Sequence, residues 1–273
     1  MTPSSRRTFL AGAGLVATTA LAGCAGFVGR DVTENSTQSY SPGAYDAVTI
    51  ENRNGDVRVE PATSGREEVE VEIQKRGRSQ DALDAVSVED TVEGGVLTLE
   101  SVYENRFSDV SVRLVVLLPE GISLASAATA NGDVRAERVT GDASLSSANG
   151  DAEAVDVDGY VGLSSANGDA IARGTTGVTG ASTANGDVEV ELFDLRDDVE
   201  LSSGNGDVEA GVAPDLDADV ELSVGNGDIE EEGMEFTSRS SSPNRVQGRL
   251  GEGGPTLSCS SGNGDVRLYT LAS

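Results

Sequence analysis

Leu145-Ser146-Ser147-Ala148-Asn149-Gly150-Asp151-Ala152-Glu153-Ala154 returns 18 residues later as Leu163-Ser164-Ser165-Ala166-Asn167-Gly168-Asp169-Ala170-Ile171-Ala172. The shared Asn-Gly-Asp occurs eight times, at Asn54, Asn131, Asn149, Asn167, Asn185, Asn205, Asn226 and Asn263. From Asn131 onward the spacings are 18, 18, 18, 20, 21 and 37 residues; the last is about two periods, and the first gap, 77 residues, about four. A fixed period of this length is the mark of a repeat architecture.

Aligning the copies on Asn exposes the local pattern. Four residues before it stand Ile50, Ala127, Leu145, Leu163, Ala181, Leu201, Leu222 and Cys259, and six before it Val48, Ala125, Ala143, Val161, Thr179, Val199, Val220 and Leu257. Three after it come Val57, Val134, Ala152, Ala170, Val188, Val208, Ile229 and Val266. Five after it the row is apolar except for Glu231. Apolar residues two apart on each side of Asn-Gly give strand, tight turn, strand. The chain is therefore all-β. Two architectures fit: an antiparallel meander of Asn-Gly hairpins, or a β-solenoid in which like positions stack about 4.8 Å apart. Small, similar residues at every level and the constant 18-residue step favour the solenoid.

The regular repeats span 122–232. Residues 45–121 are less regular, with strand-like runs around Val69-Glu70-Val71-Glu72-Ile73, Val96 to Leu99 and Val110 to Leu118, and read as divergent turns or a cap. Residues 233–273 hold an insert and the final copy; the insert carries Arg239, Arg245 and Arg249, expected to pair with neighbouring acids, the alternative being docking of an acidic partner or glycan.

The N-terminus reads as an address. Ser5-Arg6-Arg7-Thr8-Phe9-Leu10 resembles a twin-arginine export signal, with Arg6 and Arg7 its core. A short apolar run ends at Leu21-Ala22-Gly23-Cys24, which resembles a lipobox. Residues 1–23 are expected to be removed and Cys24 to carry a covalent lipid, placing the protein on the outer, extracellular face of the cytoplasmic membrane. Residues 24–44 read as a lipidated flexible tether into the domain at 45–273, with one N-x-S/T sequon at Asn35-Ser36-Thr37.

Composition narrows the function. Net charge is −28 with 47 acids, 18 arginines and a single Lys75, an acidic, lysine-poor balance resembling salt-loving archaeal proteins. At about 1 M salt the Debye length is roughly 3 Å, so a dense negative surface costs little there. Nucleic acid is a poor partner for such a charge. Histidine is absent, which excludes a Ser-His-Asp triad. The acids recur equivalently, with no distinctive pair, so no catalytic residue is assigned and the protein is expected not to be an enzyme.

The order of these features resembles a family of exported proteins known as putative adhesins, with a domain of unknown function. The resemblance rests on the early Asn-Gly turn within Val48 to Val59, the alternating strand Val112-Arg113-Leu114-Val115-Val116-Leu117-Leu118 ending in Pro119, the stacked Asn-Gly repeats, and the closing Gly248 to Leu268. It covers about residues 45–270 and implies a β-solenoid-like fold with no known reaction.

The Asp after each Asn-Gly reads first as turn chemistry: Asn tolerates and Gly adopts positive φ, and Asp accepts local backbone hydrogen bonds. The sharper alternative is a calcium-binding row of Asp133, Asp151, Asp169, Asp187, Asp207 and Asp228, whose neighbours repel by roughly 0.9 kcal/mol before screening. No other cofactor is expected. Cys259 reads as a small buried residue, and the Ser-Ser pairs as outward strand residues. The leading expectation is a structural or adhesion-like surface module meeting envelope proteins or glycans. The alternatives are a cation-binding module and, behind it, a polysaccharide-active enzyme.

Overall fold

A computed structural model describes residues 31–104 and 109–272. Arg6, Arg7 and Cys24 lie outside the described residues. The N-terminal part holds β1 (Val32–Tyr40), β2 (Ala47–Asn52), β3 (Val57–Pro61), β4 (Val69–Gly77), α1 (Gln80–Asp84), β5 (Val86–Glu93), β6 (Val96–Tyr103) and β7 (Ser111–Leu118). The regular coils follow as strand pairs: β8 (Ser123–Thr129) and β9 (Val134–Glu137), β10 (Ser144–Asn149) and β11 (Ala152–Val155), β12 (Tyr160–Asn167) and β13 (Ala170–Arg173). Next come β14 (Gly177–Asn185) and β15 (Val188–Leu192), β16 (Val199–Asn205) and β17 (Val208–Val212), β18 (Ala218–Asn226) and β19 (Ile229–Glu232). The hairpin β20 (Ser238–Ser242) and β21 (Arg245–Leu250) precedes the last pair, β22 (Thr256–Asn263) and β23 (Val266–Thr270).

The pairing decides between the two architectures. Leu145 of β10 lies beside Leu163 of β12, and Ala152 of β11 beside Ala170 of β13, all in parallel register. The two strands of one repeat therefore join different sheets, and Asn-Gly is the corner between them, not a hairpin loop. The result is a two-sheeted β-solenoid. One sheet runs β1-β4-β7-β3-β9-β11-β13-β15-β17-β23-β19; the other runs β20-β21-β18-β22-β16-β14-β12-β10-β8-β2-β6-β5. The core is the thin space between them, filled level by level with Leu145, Leu163, Leu201 and Leu222 against Ala152, Ala154, Ala170 and Ala172.

Two inward positions differ from the simple alternation. β-bulges interrupt the pairing of β2 with β8 and of β12 with β14. One extra residue slips the strand by a position. Leu124 and Val178 are thereby buried in place of Ala125 and Thr179, and Thr179 is exposed.

The two irregular spacings have different causes. β6 and β7 pair in parallel beneath β2 and β3, adding one coil without the motif, while β1, β4 and β5 join antiparallel as a cap. At the other end the final copy does not extend the stack. β22 inserts between β16 and β18, and β23 between β17 and β19. The threading also separates like charges. Direct contact of the Asn205 and Asn226 coils would set Glu200 against Glu221 and Glu209 against Glu230. The inserted copy places Ser258 between the first pair, and Arg267 bonds Glu209 at 2.7 Å and Glu232 at 2.6 Å.

One further expectation changes. β1 occupies Val32–Tyr40, inside the stretch read as a flexible tether, and pairs residue for residue with β4. The sequon at Asn35 therefore lies on an edge strand. The insert forms the β20–β21 hairpin on the edge of β18, and its arginines meet acids: Arg239 with Glu231 at 3.1 Å, Arg245 with Glu221 and Arg249 with Asp219 at 2.8 Å. Glu231, the one charged residue in its row, is held at the surface edge by this pairing. Among the described residues no helix is long and apolar enough to cross a membrane.

Candidate functional site: the Asn-Gly-Asp corner

The corner brings all eight motif copies into one column, in the spatial order Asn54, Asn131, Asn149, Asn167, Asn185, Asn205, Asn263, Asn226. Its main chain never breaks the ladder: Gly150 N–H donates to Asn167 C=O at 2.9 Å, and Ala152 N–H to Asp169 C=O at 2.9 Å, with the same pair at each level. Gly150 has φ +141°, and a Cβ there would stand 2.1 Å from the Gly132 carbonyl oxygen. Close stacking thus demands glycine as firmly as the dihedral does.

Each motif residue has one task between coils. Asn Nδ2–H donates to the Asn Oδ1 of the coil before it, from Asn149 to Asn131 at 3.1 Å through to Asn226 to Asn263 at 2.9 Å. Nδ2 of Asn149 and Asn167 also donates to the Ala130 and Ala148 carbonyls, at 3.1 and 3.2 Å. The only non-glycine residues with positive φ among the described residues are Arg138 and Asp156. The Asn residues are therefore selected for their amide, not for tolerance of a left-handed turn.

From Asp56 to Asp265 along the column, each Asp Oδ1 accepts the main-chain N–H of the Asp one coil on, as Asp151 does from Asp169 at 2.8 Å and Asp187 from Asp207 at 2.8 Å, and Asp228 ends the row. The expected local bond is thus an inter-coil one. A hydrogen bond to a charged group contributes about 1.5–3 kcal/mol, less at a half-exposed corner. It roughly offsets the repulsion of about 0.9 kcal/mol between neighbouring carboxylates. Asp133, Asp151, Asp169, Asp187, Asp207 and Asp228 all stand in this row. Among the described residues no group of three or more His, Cys, Asp or Glu is placed to hold a metal ion.

A third ladder escaped the sequence reading. Two residues before Asn, Thr129, Ser147, Ser165, Thr183, Ser203 and Ser261 are buried and donate to the corner Gly carbonyl of the previous coil, as Ser165 does to Gly150 at 2.9 Å. Their position on the apolar period, filled only by hydroxyl residues in these copies, is the signal. The outward Ser residues are the others of each pair, such as Ser146 and Ser164.

The opposite rim, where coils return, holds a strap across several coils. The Tyr160 hydroxyl donates to Asp194 two coils on, Arg196 stacks 4.2 Å over the Tyr160 ring, and Arg196 reaches back to Asp142 at 2.8 Å. The hydrogen bond to Asp194 pushes the Tyr160 pKa up, and Arg196 pulls that of Asp142 down. Gly177 makes room, since a Cβ there would meet the Tyr160 ring at 2.8 Å. Cys259 is 1% exposed in the core, and burial pushes its thiol up to about 12, far from a reactive thiolate.

A flattened parallel solenoid whose repeated polar groups hold adjacent coils together defines the class of protein. The chain belongs to the Toastrack DUF4097 family, whose description matches residues 123–269. It is similar to the crystal structure of a "putative cell adhesion protein" from Clostridium sporogenes, at 10% identity over 88% of this chain and 100% of that one, TM-score 0.40. It is also similar to a "putative adhesin" from Bacteroides fragilis (13% identity, 87% and 97% covered, TM-score 0.38). A "putative lipid binding protein" from Parabacteroides distasonis is similar at 15% identity, 87% and 97% covered, TM-score 0.43. No curated protein sequence matches significantly.

Proposed function

We propose that this chain is a non-enzymatic surface lipoprotein. It is exported by the twin-arginine route, lipidated on Cys24, and displays a stiff acidic solenoid on the outer face of the cytoplasmic membrane for adhesion-type contacts with envelope proteins or glycans. The observation that carries this reading is the use of the repeated groups: amide, carboxylate and hydroxyl at successive levels are engaged between coils. Repetition therefore builds a scaffold, and the lipobox sequence before it supplies a place to stand. Export of a folded domain suits a chain whose one remaining thiol, Cys259, needs no disulfide partner. Loss of Arg6 and Arg7 with the signal takes the net charge from −28 to −30, which molar salt screens.

Cys24→Ser is expected to release the protein from the membrane fraction and to remove the lipid from its intact mass. Replacing Arg6 and Arg7 by Lys is expected to keep it inside the cell. Retention of the Cys24→Ser chain in the membrane at unchanged mass would overturn the anchor. A glycan array and a hydrolysis screen on residues 25–273 at molar salt then separate adhesion from catalysis; turnover of any polysaccharide would overturn the non-enzymatic reading.

A further inference from the structure

The solenoid ends in four open edges, and they are unequally guarded. β19 is four residues long with three glutamates, β5 carries Glu89, Asp90 and Glu93, and β20 is five residues long. β1 is the longest of the four at nine residues, and its only charge, Glu34, is drawn toward Lys75 at 3.5 Å. Among the described residues nothing pairs with its outer edge. A long edge with little charge presents a row of unpaired N–H and C=O groups to another chain. In a protein of net charge −28, this strand is an exception that needs another guard.

The same strand carries the sequon. Strand alternation puts Asn35 and Thr37 on one side, and register sets them opposite Gln74 and Glu72 of β4. Asn35 is exposed, and its Oδ1 accepts from Gln74 Nε2 at 3.0 Å. Asn35 and Thr37 line a groove of about 370 Å³ on the sheet's outer face, with Glu72, Gln74, Arg113 and Val115. By register Arg113 takes the place that Asp fills in the motif coils, and its guanidinium has no carboxylate partner among the described residues. A donor fork, an amide, a carboxylate and an apolar floor form a surface suited to the hydroxyls and flat face of a sugar.

We infer that Asn35 is the attachment site of an N-linked glycan whose first sugars lie along this groove and whose outer sugars cover the β1 edge. The inference rests on the proposed exterior location, where such transfer takes place. The donor is an oligosaccharide on a polyisoprenoid phosphate. Asn35 Nδ2 bonds to the anomeric carbon, the bond from that carbon to the phosphate oxygen breaks, and the lipid phosphate leaves with the electron pair. The amide proton passes to a base of the transferase.

The test is the mass of the full chain purified from its own cells, with protease applied to intact cells in parallel. The wild type is expected to carry whole-sugar increments on the Asn35 peptide. Asn35→Gln and Thr37→Ala should lose them, and Ser36→Ala and Thr37→Ser should keep them. An unmodified Asn35 in a chain that external protease reaches would overturn the glycan alone. An unmodified Asn35 in a chain that protease cannot reach would overturn the exterior location as well. The guarding role is read from sedimentation of Asn35→Gln at molar salt. Concentration-dependent association that Thr33→Lys abolishes supports it, and a monomer at every concentration overturns it.

Discussion

The two long edges of this solenoid are built on opposite plans. At the Asn-Gly-Asp corner each level repeats its neighbour, and each amide, carboxylate and hydroxyl bonds to the coil beside it. At the returning rim the connections differ in length and sequence, and a strap from Asp142 through Tyr160 to Asp194 and Arg196 crosses several coils. The corner shows that repetition is how a thin core with few large side chains becomes rigid: many identical short-range bonds replace one large packed centre. The rim tolerates changes of loop length between coils, although Gly141 and Gly159 stack there as tightly as the corner glycines, a Cβ at Gly159 standing 2.2 Å from the Gly141 carbonyl oxygen.

The largest contrast is expected from glycine. Gly168→Val forces a β-branched residue to φ +148°, with Cβ 2.3 Å from the Gly150 carbonyl oxygen. Strain and overpacking together should cost about 2–6 kcal/mol. Gly150→Val and Gly186→Val should cost about the same. At the rim, Gly65 has φ +90° and open space, with nothing within 4 Å of where a Cβ would stand, so Gly65→Ala meets only the dihedral penalty, about 1 kcal/mol. Urea unfolding at fixed KCl measures both. A Gly168→Val chain no weaker than Gly65→Ala would remove the steric account of the corner.

Asn167→Asp is expected to come next. It deletes the donor to Ala148 C=O and to Asn149 Oδ1, and sets a new charge beside the Asp row. The loss should be about 1–2 kcal/mol and should shrink as KCl is raised from about 0.1 M to about 3 M. If micromolar calcium alone restores the variant and also raises the wild-type midpoint as far as KCl does, the carboxylate row binds a specific cation and screening is the wrong mechanism.

The corner was largely legible in the sequence because its chemistry repeats at fixed spacing. The period, the inward Leu, Val and Ala rows and the strand-turn-strand unit all follow from aligning eight short motifs. What was not legible depends on which copies touch. Asn263 follows Asn226 in sequence yet stacks before it, and only the pairing of charges at Glu209, Arg267 and Glu232 hints at that order. Polar alternation in β1 resembles a linker when nothing says that β4 lies alongside. The bulges at Ala125 and Thr179 change facing by one residue, below what a two-residue period can resolve. Tyr160, Asp194 and Arg196 are rim residues without a repeated counterpart, so alignment passes over them.

The buried hydroxyl offers a smaller test of the corner. Ser165→Ala leaves the Gly150 carbonyl without its 2.9 Å donor and should cost about 1 kcal/mol. Ser147→Ala and Ser203→Ala should match it within error, because each serves one corner carbonyl in the same way. Unequal losses among the three, measured by thermal unfolding in the same buffer, would mean that the coils are not equivalent and that the contrast with the rim is one of degree.

The smallest effect belongs to the strap, and pH separates it from the corner. Tyr160 donates to Asp194, so the fold favours the neutral phenol and its pKa is raised above the ordinary value. A raised folded pKa means that the contribution is fully present below the unfolded tyrosine value, about 10, and is lost as pH climbs through the folded one. Tyr160→Phe keeps the ring under Arg196 and removes only the hydroxyl. It should melt slightly below the wild type at neutral pH, by less than Ser165→Ala does, because the strap lies in solvent that screens it. The difference between wild type and Tyr160→Phe should then close as pH passes above about 10. Tyr40, Tyr45 and Tyr103 also have raised values, chiefly from burial, so absolute stability falls in both chains and only their difference reports the strap. A difference that stays constant across this range would assign Tyr160 to ring packing against Arg196 and Gly177, and the hydrogen bond to Asp194 would then contribute nothing to holding the coils together.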